Sequence, residues 1–188
     1  MTATPTDSLL QQAIPANARE DWARHYAEPL ADGVVRDQAA LVFRLGAEWL
    51  ALPARLFVGA ADPGIPHRLP HRGGPGLLGI VCIRGQLYPC IALETLLGIA
   101  VAEAAPLTSG ARGFARHLLV TLGHQTYAFA VDEVMGLQRY ARAELHDAPS
   151  TVSGQLRPFL WAVLDIEGRQ VGVLVADRLE QMMQEALL

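Results

Sequence analysis

The stretch Leu77-Leu-Gly-Ile-Val-Cys-Ile-Arg-Gly-Gln-Leu-Tyr-Pro-Cys-Ile-Ala-Leu-Glu-Thr-Leu-Leu-Gly98 decides how the chain reads. An apolar strand runs into Arg84-Gly85, a second apolar strand returns, and a short Leu-rich helix follows. Arg84 is the only charge between Leu77 and Ile91 and sits at the crest of the predicted β-hairpin. There a stiff scaffold holds it and points it outward, which suits contact with a partner better than a reaction.

The same texture extends outward from this hairpin. Strands are predicted at residues 41–45, 49–52, 79–83, 87–92, 117–122, 126–131, 160–166 and 169–176, each bounded by Gly, Pro or a charged turn. Helices are few: a short one over 93–97, and an amphipathic one over 177–187 with Leu179, Met182, Met183 and Leu187 on one side. Residues 62–76 read as a loop without regular structure, and 102–113 as a connector.

A weak internal repeat accompanies this pattern. Laying Leu41-Val-Phe-Arg-Leu-Gly-Ala-Glu-Trp-Leu-Ala-Leu52 on Leu118-Leu-Val-Thr-Leu-Gly-His-Gln-Thr-Tyr-Ala-Phe129 brings Leu45 onto Leu122, Gly46 onto Gly123 and Ala51 onto Ala128. Further on, Ile83-Arg-Gly falls on Ile166-Glu-Gly. Each half then holds a hairpin, a long loop and a second hairpin. Two small barrels packed together fit this better than one open sheet, because closure removes exposed edges. The competing explanation is that any two all-β segments share Leu and Gly at their turns.

Composition narrows the function. Of 188 residues, 51% are hydrophobic and 18% charged, so a well-filled core is expected. The net charge is −4, every basic residue is Arg, and no basic cluster occurs, which argues against nucleic acid and anionic membrane as partners. Cys82 and Cys90 are too few for a disulfide framework or a zinc site, and both read as small buried strand residues. No apolar run approaches the ~20 residues a spanning helix needs, and the N-terminus lacks a secretory pattern. No membrane insertion is expected, and the location expected is cytoplasmic.

Residues 1–37 form an N-terminal extension distinct from a domain over 38–188. In the extension, 17–28 reads as a helix opened by Asn17, with Trp22 and Tyr26 sharing a face. That face suits packing on the domain or binding a partner.

With these motifs in place, the chain resembles the CheW-type chemotaxis coupling proteins. The central match is the strand, Arg84-Gly85 turn, Pro89-bearing strand and helix from Leu93. Cys82 stands where the family has Asn, and Ala92 where it often has Asp. The stretch from Leu41 to Pro53 resembles the family's opening strand pair, Arg68-Leu-Pro-His71 its loop into the central hairpin, and Ala130-Val-Asp-Glu-Val-Met-Gly136 its second-half signature. Cys90-Ile-Ala-Leu93, Val131 to Tyr140 and Gly168 to Gly172 look most like the WspD branch, which serves surface sensing and cyclic di-GMP control.

The resemblance implies a mainly β fold of two intertwined five-stranded SH3-like barrels, with short helices, a C-terminal helix and an apolar groove. It implies a non-catalytic adaptor between the cytoplasmic tip of a chemoreceptor and the regulatory domain of a CheA-type histidine kinase. The receptor-contacting residues it implies are Arg84 and Gly85, with Leu56, Val58 and Leu87 as neighbouring apolar residues. The kinase surface would lie on the barrel ends. A small-molecule-binding β-barrel sensor is the alternative, and a deep apolar pocket with converging polar groups would mark it.

Chemical readings of other residues are weaker. His67 and His71 are four apart, but in a Pro- and Gly-bearing loop with no third ligand, so neither metal nor other cofactor is expected. Cys82 with a distant His as nucleophile and base lacks a charge arrangement that would lower its pKa, apart from Arg84. Gly73-Gly-Pro-Gly76 lacks the following helix N-terminus that phosphate binding needs. Asp132-Glu133 is expected to point to opposite sides rather than converge on a substrate.

Overall fold

The computed structural model describes residues 35–70, 74–100, 115–149 and 154–186. The chain divides into two units, Met1–Val34 and Val35–Leu188, and every described residue lies in the second. The helix expected over 17–28 and the connector at 102–113 lie outside the described residues.

In the first half, β1 (Gln38–Leu45) and β2 (Glu48–Pro53) form a hairpin, and β3 (Phe57–Ala61) follows a short 3-10 turn. Then β4 (Leu77–Ile83) and β5 (Gln86–Ile91) form the Arg84 hairpin, which leads into α1 (Leu93–Leu97). The second half repeats the series with β6 (Arg116–Leu122), β7 (Gln125–Val131), β8 (Glu133–Tyr140) and the two-residue β9 (Leu145–His146). It closes with β10 (Leu160–Ile166), β11 (Arg169–Leu174) and α2 (Ala176–Ala186). The expected strands are all present, with β1 starting earlier and β11 ending earlier than the sequence indicates. Strands β3, β8 and the two-residue β9 are additions. Of these, β3 and β8 each carry an internal glycine, Gly59 or Gly136, which disguises the strand as a loop because glycine weakens a strand pattern. The loop at 62–76 is not wholly irregular: His67 exchanges both backbone hydrogen bonds with Ile80, at 2.8 and 2.9 Å, and so covers part of β4. Gly79 lets this strap approach, because a Cβ there would collide with the His67 carbonyl.

The strands order as β8-β1-β2-β11-β10-β9 in one sheet and β3-β6-β7-β5-β4 in the other. Each sheet therefore mixes strands from both halves. The first hairpin of each half lies parallel to the last strand of the other half, through Ala51 with Val173 and Ala128 with Cys90. These registers obey the repeat: Leu41 laid on Leu118 puts Ala51 on Ala128, and Ile83 laid on Ile166 puts Cys90 on Val173. Bulges recur at matching places too, with Gly59 opposite Leu119 and Gly136 opposite Val42. Shared register and shared bulges are not expected of unrelated β segments, so the repeat is structural.

Burial separates three cores. One lies between the sheets and joins Leu41, Phe43 and Leu52 to Leu118, Val120 and Phe129, with Leu179 and Met183 of α2 on top. The other two fill the barrel interiors. Ala40, Val42, Leu164 and Val173 meet in one, and Val81, Ile83, Cys90 and Leu119 in the other. Strands β1 and β6 are consequently buried on both faces, one toward the central core and one toward a barrel interior. Hence Leu118-Leu-Val reads as a continuous apolar run instead of an alternating one. Each large side chain so enclosed contributes about 1.5–3 kcal/mol of hydrophobic stabilisation. An exposed ion pair, Arg36 to Glu144 at 2.6 Å, ties the start of β1 to the turn after β8.

Candidate functional site

The site is built on the β4–β5 hairpin. Ile83 pairs with Gln86, which leaves Arg84 and Gly85 as a two-residue loop. Both have positive φ, 53° and 82°, the combination of a type I′ turn. Gly85 meets this demand without strain, whereas an L-residue such as Arg84 loses roughly 1–2 kcal/mol in the left-handed region. Asn would suit that position better. The turn thus sacrifices local stability to place a guanidinium at its crest, and among the described residues Arg84 makes no ion pair. Glu167-Gly168, the corresponding turn of the other barrel, has the same geometry, with φ of 54° and 75°, and the opposite charge.

Below the crest, side chains alternate. Val81 and Ile83 point into the barrel, while Cys82 is exposed, which corrects its reading as a buried thiol. In a run as apolar as Ile80-Val-Cys-Ile83 the inward and outward faces cannot be told apart by hydrophobicity. Across the ladder from Cys82, Leu87 stands 66% exposed, an apolar neighbour for Arg84 on the same rigid hairpin. Arg84 also borders an open depression of about 390 Å³ shared with Ala60, Ala61, Asp62, Cys82 and Arg116, so the edges β3 and β4 approach each other here. Arg116 and Asp62 face across it at 3.8 Å.

Not all the expected site residues gather. Arg84, Gly85 and Leu87 share the hairpin. Val58, 59% exposed, lies two residues before Ala60 on β3, near the same depression. Leu56 sits on the 3-10 turn before β3, half-buried against the central core.

The structure also brings together residues that sequence reading kept apart. Asp132 and Glu133 do converge, on a turn of the protein itself: Asp132 Oδ2 accepts the Gly46 N–H at 2.7 Å, and Glu133 Oε2 accepts Arg44 Nε at 3.1 Å. With Arg44 donating to the Gly46 carbonyl at 2.7 Å, the acid pair clamps the β1–β2 turn to the start of β8. The cysteine that meets a histidine is Cys90. Its Sγ lies 3.7 Å from His117 Nε2, while His117 Nδ1 accepts the Gly64 N–H at 3.3 Å. Both side chains are sealed inside the barrel. Burial pushes the Cys90 thiol up to about 12 and holds the His117 imidazole below its ordinary value. A neutral thiol beside a neutral ring is the reverse of an activated nucleophile. Their pairing was hidden because the two residues lie on different strands of the swapped sheet.

Among the described residues no three His, Cys, Asp or Glu side chains are grouped to hold a metal ion. His71 and Gly73 lie outside the described residues, and His67 is exposed, its backbone held by Ile80. Gly74 and Gly76 give their carbonyls to Leu77 and Ala92, at 3.2 and 2.7 Å. A larger open depression of about 580 Å³ beside the 48% exposed Trp161 lies at the far barrel, between Arg55, Tyr140 and Asp177. Both barrel interiors are filled with side chains. Among the described residues no helix is long and apolar enough to cross a membrane.

Comparison with known proteins agrees with this geometry. The family model for the CheW-like domain matches residues 39–183. Among solved structures, the scaffolding protein TtCheW from Thermoanaerobacter tengcongensis superposes with a TM-score of 0.60. The match covers 73% of this chain and 84% of that one, at 18% sequence identity, and so shows a shared fold. No curated protein matches the chain.

Proposed function

We infer the function from one premise: the chain belongs to the CheW-like domain family. It acts as a non-catalytic signalling adaptor, coupling the cytoplasmic tip of a chemoreceptor to the regulatory domain of a CheA-type histidine kinase. The observation that carries this reading is Arg84, without an ion pair among the described residues and held at the crest of a strained turn where Asn would be more stable. A guanidinium so placed donates planar, charge-assisted hydrogen bonds to carboxylates or carbonyls at the end of a helix bundle. Leu87 and Val58 supply adjacent apolar contact.

The mechanism is geometric. One barrel end pairs with the kinase's similar domain while the Arg84 side holds the receptor, and receptor states that fit differently bias the kinase through that difference in contact energy. Such tips lie in the cytoplasm, which places the adaptor there. Similarity to the WspD branch favours a surface-sensing output. Filled barrel interiors speak against the alternative of a small-molecule sensor.

Assembly tests the reading. Mixed with a receptor signalling fragment and the kinase regulatory domain, the chain should carry both into one sedimenting complex, and omitting it should separate them. A folded chain that binds neither partner overturns the function.

A further inference from the structure

We propose that His117 is a latch: its ring ties the strap at residues 62–66 across the first barrel's interior, and acidification frees the strap and reshapes the depression beside Arg84.

The two barrels differ at this point. Laying Leu41 on Leu118 puts Ala40 on His117, and laying Ile83 on Ile166 puts Cys90 on Val173, so one interior holds a Val and Ala where the other holds a thiol and an imidazole. The imidazole reaches the strap at Gly64. Gly64 lies so close over the interior that a Cβ there would stand 2.9 Å from a Val81 methyl, and its N–H donates to His117 Nδ1. Two residues earlier, Asp62 forms a wall of the Arg84 depression and faces Arg116. A move of the strap therefore alters the surface beside Arg84.

Protonation would convert Nδ1 from acceptor to donor and set it against the Gly64 N–H. Little nearby would stabilise the cation. At His117, β6 pairs with Ala61 of β3 and Ala130 of β7, strands that carry no charged side chain. From β5 the thiol of Cys90 faces the ring, while Tyr88 packs against the same core with its hydroxyl donating to Gln86, and on β4 the titratable Cys82 points outward. From the strap, the Asp62 side chain is 93% exposed and directed to Arg116, which flanks the ring on β6 and turns out of the interior. Glu94 of α1 acts through space on Cys90. The closed strap thus favours the neutral ring, in keeping with the lowered His117 pKa. A group whose folded pKa is depressed stabilises the closed state above its free pKa, near 6.5, and loses that contribution as the pH falls.

The latch is independent of function, whereas its effect on receptor contact rests on the adaptor reading. Amide exchange over 62–66, expressed as protection relative to the unfolded chain at the same pH, tests the latch at pH 7.5 and 5.5. Protection of Gly64 in the wild type should fall by up to about tenfold at the lower pH, the limit for a free pKa one unit above it. In His117→Ala, which installs the residue of the other barrel, protection should be low at both pH values. Cys90→Val should keep the wild-type pH dependence. Unchanged protection in the wild type overturns the latch, as does a pH dependence that survives in folded His117→Ala. If that variant does not fold, the wild-type and Cys90→Val profiles decide. Titration with a receptor fragment at both pH values reads the second half: affinity should change in the wild type, and constant affinity overturns the link to the Arg84 surface. Absence of receptor binding at either pH instead counts against the adaptor function and leaves the exchange result standing.

Discussion

At the scale of single residues, environment separates side chains of the same type. Cys82 and Cys90 lie on paired strands, yet one is exposed and the other is fully enclosed with its thiol pushed up to about 12. A thiol reagent at neutral pH should modify Cys82 at the rate of an accessible thiol and Cys90 only on unfolding. Equal labelling of both in the folded protein would contradict the barrel interior described here. Replacement should follow the same division. Cys82→Ser should shift stability by no more than ~0.5 kcal/mol, whereas Cys90→Ser puts a hydroxyl into an apolar interior and should cost about 1–3 kcal/mol. Urea denaturation of the two variants measures the difference. Neither replacement should abolish adaptor function, because no step of it uses a thiol.

At the scale of elements, α2 is an amphipathic lid. Leu179 and Met183 are fully buried over the central core, while Gln181 on the opposite face is exposed. Leu179→Ala should cost about 2–5 kcal/mol through lost burial and the cavity left behind, and Gln181→Ala no more than ~0.5 kcal/mol. Denaturant midpoints check both, and comparable losses would mean that the helix does not cover the core. This lid and the Arg84 hairpin were legible in the sequence because periodicity, a Gly turn and a lone charge mark them locally. Strands β3 and β8 were not, since Gly59 and Gly136 interrupt their patterns at bulges that only the partner strands define. The convergence of Asp132 and Glu133 on the Gly46 turn, and of His117 on Cys90, depends on strands exchanged between halves. No local spacing encodes such contacts.

At the scale of the whole domain, the repeat explains why the candidate site is one-sided. Duplication supplies two hairpins with the same turn geometry, but only one carries Arg84, and the other carries Glu167. The repeat was readable as shared Leu and Gly positions, and its meaning came from the register, with Ala51 on Val173 matching Ala128 on Cys90. Swapping strands between the sheets gives neither half a complete core alone, which makes a rigid support for a projecting turn. On that support, the claim that Arg84 is kept for a partner and not for the fold can be tested by paired titration. Arg84→Glu and Arg84→Asn are each titrated against a receptor signalling fragment and against the kinase regulatory domain, after thermal denaturation has shown them folded. Stability should stay within ~0.5 kcal/mol of wild type for Arg84→Glu, and be at least equal to wild type for Arg84→Asn. Receptor binding should weaken by about 2–5 kcal/mol for Arg84→Glu, as for a truncated interfacial charge pair, and should also weaken for Arg84→Asn, with kinase binding unchanged for both. Receptor affinity unchanged in the folded variants would leave Arg84 a solvated turn residue and overturn its role in receptor contact.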